Sequence, residues 1–168
     1  MQYWCYNPWE LEGIEETESY FEINAEGVYC RSITKSKGIF YSSSIDVEHP
    51  IFFLPETLFE KEDHKYMTAI TKNYFDTLWQ CKQTTFQVEW ELTKRLFNTG
   101  TIVKGFIVCF YPQGVILSVD SLFYVLVDYD VLKVRIGVAN MYPRKDVVVE
   151  IKGFDEINNW LLGQPQEL

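Results

Sequence analysis

The sequence predicts a β-rich α+β protein, with an N-terminal antiparallel sheet that carries a helix and a C-terminal five-stranded barrel preceded by another helix. Three observations predict this class. Aromatic residues make up 17% of the chain, and they are mostly Phe and Tyr, which favour the pleated surface of a sheet. Two apolar runs flank the turn signal Pro112-Gln113-Gly114. Two other segments repeat apolar residues at helical spacing.

The stretch 100–118 predicts a long bent strand that turns directly into a second strand. Pro112 has no backbone donor and ends the first ladder, and Gly114 can adopt the positive φ that a tight turn needs. Gly105 lies inside the first run and predicts a bend or bulge where a small barrel coils its strand.

The first half predicts a small antiparallel sheet closed by a helix. Gly27 is placed as the left-handed residue of a hairpin loop, and Thr71 predicts a helix cap before the buried face Phe75, Leu78 and Trp79. A glutamate-rich connector at 10–18 is typical of a solvated segment. Strands are expected at residues 3–9, 20–24, 28–33 and 38–43, with a compact apolar run at 51–54.

The second half predicts a helix followed by the barrel. Phe86, Trp90, Thr93 and Phe97 form a stripe that favours a helix over about 85–97, although an alternating strand is the other interpretation. Five main strands with one longer interruption indicate a small, partly open barrel. After the two opening strands, we expect strands at 122–127, 134–138 (short), 147–152 and 159–162, with a turn at 155–158.

Charge separates the two predicted domains, residues 1–82 and 83–168. The net charge is −9, and residues 1–84 carry seven Lys and Arg against fourteen Asp and Glu, whereas residues 85–168 carry eight against ten. The acidic first half suits a basic protein partner better than a phosphate backbone, because phosphate binding draws its affinity from clustered cations.

The sequence lacks the motifs of catalysis and of metal or cofactor binding. The four cysteines include no Cys-x-x-Cys pair and no short Cys/His spacing, so reduced thiols without a metal are expected. No phosphate-binding Gly-rich loop or nucleophile elbow occurs, and neither His49 nor His64 has an evident Cys or Ser partner. We therefore expect a non-enzymatic binding protein with no cofactor.

Targeting signals are also missing from the sequence. The N-terminus has no positively charged region and no long apolar core, and no segment approaches the roughly 20 apolar residues of a membrane span. We expect a cytoplasmic protein with no membrane partner.

Two segments resemble known domains. Residues of about 18–80, with their hairpin and the run Ile70 to Trp79, resemble small bacterial domains of uncharacterised function, which implies a bacterial protein but no activity. Asn73 and Tyr74 stand where those domains place Glu in the first helical turn, so the capping box is missing.

The second resemblance covers residues of about 100–165. Gly100–Ser118 has a Gly, an apolar pair, a second Gly, an apolar run, Pro-x-Gly and another apolar run, and Tyr142–Asp155 matches a later strand. This order is similar to the S-one-type RNA-binding domain. The resemblance implies an oligonucleotide/oligosaccharide-binding (OB) fold and association with single-stranded RNA or DNA through the face of its second and third strands.

The resemblance also implies where nucleic acid would bind. The family places aromatic residues beside the turn glycine and a His in the third strand, but this chain has Gln113, Ile116 and Val127 there. Without those rings, the main sequence-tolerant contribution to single-strand binding is lost. The candidate nucleic-acid-binding residues that remain are Lys104, Tyr111, Tyr124, Tyr129, Arg135, Arg144, Lys145 and Lys152.

A second hypothesis therefore stands beside nucleic-acid binding. In this alternative the barrel is a rigid scaffold, and the protein is an acidic protein-protein interaction module, such as an inhibitor, immunity-type protein or adaptor. The missing stacking residues and the acidic first half motivate it.

Overall fold

The chain forms two compact units in the computed structural model, which describes residues 1–7, 17–45, 54–119 and 121–166. Unit 1 runs from Met1 to Thr85 and unit 2 from Phe86 to Leu168. The predicted connector at 10–18 and the apolar run at 51–54 lie largely outside the described residues. No helix in the described ranges is long and apolar enough to cross a membrane.

Unit 1 contains a five-stranded antiparallel sheet. Its strands are β1 (Gln2–Tyr6), β2 (Thr17–Ile23), β3 (Tyr29–Ser36), β4 (Ile39–Ser42) and β5 (Met67–Ala69). They lie in the order β4-β3-β2-β1-β5. The predicted hairpin between β2 and β3 is confirmed, with Gly27 at φ 82° in its loop. β5 has no counterpart among the predicted strands, because three residues show too little alternation to be recognised.

Helix α1 (Lys72–Thr85) covers one face of this sheet. The hydroxyl Oγ1 of Thr71 accepts a hydrogen bond from the backbone N–H of Tyr74 at 3.2 Å, so the predicted cap is confirmed. Phe75 and Trp79 are buried against Tyr3 and other residues of the sheet, as the helical spacing predicts. This packing supplies the apolar core of unit 1.

An ion pair between Arg31 and Glu22 lies within that core. The guanidinium donates to both carboxylate oxygens of Glu22, at 2.6 and 2.9 Å, and its Nη2 lies 3.4 Å from an oxygen of Asp76. Tyr3 donates to the same carboxylate at 3.0 Å. Burial alone would raise the pKa of Glu22, but the hydrogen bonds and charge of Arg31 outweigh burial, and that pKa is lowered.

Unit 2 is a closed five-stranded barrel, which confirms the predicted OB-like architecture. Its strands are β6 (Ile102–Tyr111), β7 (Gly114–Ser118), β8 (Tyr124–Val127), β9 (Asp146–Asp155) and β10 (Trp160–Pro165). They follow one another as β10-β8-β7-β6-β9, and β9 pairs with β10. The barrel is closed rather than partly open because β10 pairs with β8 in parallel and with β9 in antiparallel.

Helix α2 (Gln87–Leu96) precedes the barrel, so the favoured helical interpretation is confirmed. Its Trp90 is fully buried, with ring centroids 5.1 Å from Phe123 and 6.1 Å from Phe154. The indole Nε1 of Trp90 donates to Glu156 at 2.7 Å, and Lys94 donates to the other oxygen of that carboxylate at 2.9 Å. These contacts fix α2 against the turn between β9 and β10.

The short strand expected near 134–138 is wrong, because the segment forms a helix. Helix α3 spans Tyr129–Ile136, and a 3-10 turn follows at Val138–Asn140. The carboxylate of Asp128 accepts from the backbone N–H of Val131 at 2.9 Å, and Gly137 ends the helix at φ 78°. These two caps outweigh the strand preference of the valines in the segment.

Two glycines allow β6, β7 and β8 to approach closely. A Cβ on Gly105 would lie 2.5 Å from the carbonyl oxygen of Ser118, and a Cβ on Gly114 would lie 2.4 Å from that of Val127. Gly114 also has φ 143° and follows the predicted Pro112-Gln113 turn. The β6 ladder is irregular between Ile107 and Cys109, so the bulge predicted at Gly105 lies further along the strand.

Substituting Gly114 tests whether this close approach is required. Gly114→Ala is expected to lower the free energy of unfolding by about 2–4 kcal/mol, because a strained φ and overpacking each cost about 1–3 kcal/mol. Gly153→Ala is the matched control, since its Cβ would meet only Leu162 Cδ1 at 3.7 Å. Urea unfolding followed by fluorescence measures both variants. Equal midpoints for the two would contradict the role of Gly114.

The Glu22 ion pair predicts a pH dependence of stability. Glu22→Gln is expected to destabilise unit 1 by about 3 kcal/mol at neutral pH, because it leaves the charge of Arg31 buried without its main partner. Since the folded pKa of Glu22 is lowered, its stabilisation is present above the unfolded pKa of about 4.3 and is lost as pH falls through the folded pKa. The difference between wild type and Glu22→Gln should therefore shrink below about pH 4.

Urea unfolding at a series of pH values measures this difference. Glu26→Gln is the control, because it removes the same charge from an exposed hairpin loop. A difference between wild type and Glu22→Gln that stays constant down to acid pH would show that the carboxylate charge of Glu22 is not what stabilises the unit.

Candidate nucleic-acid interface

The face of β7 and β8, where the resemblance places the ligand, presents no exposed aromatic ring. Ile116 and Val127 are fully buried, and Gln113 is half-buried in the turn before β7. Tyr124 on β8 is 5% exposed. The described residues of this face therefore offer no exposed ring for base stacking.

Tyr111 is also unsuited to stacking on bases. It is 8% exposed, and its ring centroid lies 6.1 Å from that of Trp160. The thiol of the neighbouring Cys109 is half-buried, and burial raises its pKa to about 12 even though a hydrogen bond with Tyr111 acts in the opposite direction. Tyr111 and Tyr124 thus contribute to packing rather than to a surface.

Two of the candidate cations are paired with carboxylates, Lys104 with one on a neighbouring strand and Lys152 with one on its own strand, β9. Lys104 Nζ lies 2.7 Å from an oxygen of Asp146, and Lys152 Nζ lies 2.6 Å from an oxygen of Glu150. Each pair cancels its own charge locally, so neither lysine adds to a positive surface.

Tyr129 contributes to an exposed aromatic pair that the sequence did not predict. Its ring centroid lies 6.3 Å from that of Phe110 at an interplanar angle of 70°, and the two residues are 42% and 40% exposed. Lys133, one helical turn further along α3, places its ammonium 5.9 Å from the centre of the Tyr129 ring. Phe110, Tyr129 and Lys133 are named the ring pair site.

The remaining candidates lie on α3 and on the segment that leads into β9. The backbone N–H of Arg144 donates to Ile107 at 2.7 Å, and the carbonyl of Lys145 accepts from Ile107 at 3.0 Å, so β6 holds this segment in place. Arg135 and Lys145 line one groove of about 420 Å³, together with Asp146. Arg144 and Lys145 make no ion pair with any residue that the structure describes.

Phe110 and Lys133 belong to the ring pair site but were not among the candidates from the sequence, although each had a partial signal there. Lys133 follows Tyr129 by four positions, which places both on one helix face once α3 is recognised. Phe110 lies beyond the ladder irregularity between Ile107 and Cys109, and a bulge changes which face later residues occupy. Alternation along β6 therefore could not separate Phe110 from Tyr111.

The side chains that could bind a metal do not form a candidate metal site in the described residues. Within residues 1–7, 17–45, 54–119 and 121–166, no group of three His, Cys, Asp or Glu side chains could hold a metal ion. His64 stacks on Phe59 with ring centroids 4.9 Å apart, and His49 lies outside the described residues.

The sequence matches no protein-family model and no curated protein.

Proposed function

We propose that unit 2 binds single-stranded nucleic acid at the ring pair site. The observation that carries this proposal is the contact between two exposed rings, Phe110 and Tyr129, beside the ammonium of Lys133. Every base has a π-face, so exposed rings bind unpaired bases with little sequence preference, and a nearby cation neutralises the phosphate. Duplex bases are already stacked and are not available to such a site.

The barrel architecture supports the same ligand class. A five-stranded OB-type barrel commonly binds oligonucleotides on its strand surface and loops. Phe110 lies next to the turn after β6, and Tyr129 begins the helix after β8. The strands of the barrel therefore determine the positions of both rings. Fold alone does not specify a ligand, and the rings and Lys133 supply the chemistry.

The charge of unit 2 predicts weak, salt-sensitive binding without sequence preference. Its eight Lys and Arg stand against ten Asp and Glu, and Lys94, Lys104 and Lys152 are in ion pairs. Arg144 and Lys145 add positive charge before β9. Binding then depends more on stacking than on the release of counterions.

Removing either ring tests the stacking contribution. Tyr129→Ala and Phe110→Ala are each expected to weaken binding by about 1–3 kcal/mol, which is roughly five- to hundredfold in affinity. Fluorescence anisotropy of labelled oligouridylate and oligothymidylate at low salt measures the affinity. Ile102→Ala is the control, because Ile102 is 66% exposed on the same strand but lies outside the ring pair site.

Two outcomes would contradict nucleic-acid binding at this site. In one, the wild-type protein shows no anisotropy change with either oligonucleotide at low salt. In the other, Ile102→Ala weakens binding as much as Tyr129→Ala does, which would mean that the rings have no special role.

Lys133 tests the electrostatic contribution separately. For single strands, the slope of log affinity against log salt changes by about 0.7 for each neutralised phosphate, so Lys133→Gln should reduce the slope by about that amount. Arg95→Gln is the matched control, since Arg95 is an exposed cation on α2 away from the rings. Equal slopes for wild type and Lys133→Gln would show that Lys133 does not contact phosphate.

A further inference from the structure

Unit 1 has an aromatic groove that the proposed function of the barrel does not use. The groove has a volume of about 490 Å³, and the residues that line it include Tyr6, Phe21, Tyr29, Asp63 and Tyr66. These five residues are named the aromatic groove. Tyr6 and Phe21 point away from α1, because they alternate along their strands with the residues that α1 covers.

The rings of the aromatic groove form a corner rather than a flat surface. Phe21 and Tyr29 have centroids 5.1 Å apart and meet at an interplanar angle of 78°. Tyr66 is 49% exposed, and the ammonium of Lys65 lies 4.6 Å from the centre of its ring. The Tyr66 ring therefore already contacts one cation, Lys65, which a partner's arginine would have to displace or avoid.

Asp63 gives the groove a negative charge. One oxygen of its carboxylate accepts from the backbone N–H of Glu60 at 2.7 Å, which holds the side chain in place. Burial, together with a smaller contribution from the negative charge of Asp63, raises the pKa of Tyr29 to about 12. The surrounding unit is also acidic, with fourteen Asp and Glu against seven Lys and Arg in residues 1–84.

The same unit shows how this combination of groups holds a cation. The guanidinium of Arg31 lies 5.1 Å from the centre of the Phe75 ring and 4.8 Å from that of Trp79, and it is paired with Glu22. Rings and the carboxylates of Glu22 and Asp76 thus surround a guanidinium on the α1 side of the sheet. The aromatic groove repeats these groups on the other side.

We propose that the aromatic groove binds an arginine side chain of a basic partner protein, with the guanidinium stacked on the rings and paired with Asp63. Arginine fits better than lysine because its planar guanidinium stacks on aromatic rings, can pair with a carboxylate through two donors and is less strongly hydrated than an ammonium. The acidic charge of unit 1 attracts a partner with further basic residues around that arginine. This inference concerns unit 1 and does not depend on nucleic-acid binding by unit 2.

A pair of labelled peptides tests the proposal on the full chain. One peptide alternates glycine with arginine, and the other has lysine at every arginine position, so their charges are equal. The arginine peptide is expected to bind the wild-type protein more tightly. Asp63→Asn and Tyr66→Ala should each weaken that binding by about three- to thirtyfold, measured by fluorescence anisotropy.

A neighbouring acidic residue provides the matched control for charge. Glu62→Gln removes the same charge one position away, from an exposed residue that does not line the groove, and should change affinity by less than about twofold. Tyr66 is half-exposed and Asn keeps an acceptor for the Glu60 N–H, so both test variants should retain the wild-type circular dichroism spectrum.

Three results would overturn the proposal. The first is the absence of arginine-peptide binding to the wild-type protein at low salt. The second is equal affinity for the arginine and lysine peptides, which would indicate general charge attraction. The third is an equal effect of Glu62→Gln and Asp63→Asn, which would place the binding outside the groove.

Discussion

Closure of the barrel in unit 2 depends on how closely β7 approaches the strands on either side, and glycine sets that distance. A side chain on Gly105 would meet the backbone of β7 at Ser118, and a side chain on Gly114 would meet the backbone of β8 at Val127. Gly105 also immediately precedes Phe106, the residue at which β6 pairs with both β9 and β7. Any larger residue at either position would separate strands whose pairing completes the barrel.

The packing around β7 has a direct consequence for function. Val115 and Ile116 point to opposite faces of β7, yet both are fully buried, and Tyr124 on β8 is almost fully buried too. The strand face that an OB-type barrel commonly offers to a ligand therefore has no ring to present. Exposed rings of the described part of unit 2 lie instead on β6, at the start of α3 and in the segment before β9.

The sequence alone was sufficient to predict local structure where a few consecutive residues determine it. Thr71 capped α1 as predicted, and Pro112-Gln113-Gly114 formed the turn between the opening strands. It was insufficient where valines such as Val134 favoured a strand but the caps of α3 imposed a helix. The exposure of individual residues could not be predicted for a similar reason, since burial separates Tyr111 from Phe110 only after the bulge and the three-dimensional packing are known.

The two proposed sites use the same aromatic chemistry, and the neighbouring charge distinguishes their ligands. An aromatic face attracts both a nucleic-acid base and an organic cation, so rings alone would not discriminate between them. Lys133 beside Tyr129 favours a phosphate, whereas in unit 1 the aromatic groove has a carboxylate, Asp63, in addition to Lys65 at the Tyr66 ring, and that carboxylate repels phosphate and favours a guanidinium. The charged groups at each site therefore set the sign of the ligand charge, and in unit 1 the acidic charge of residues 1–84 acts in the same direction.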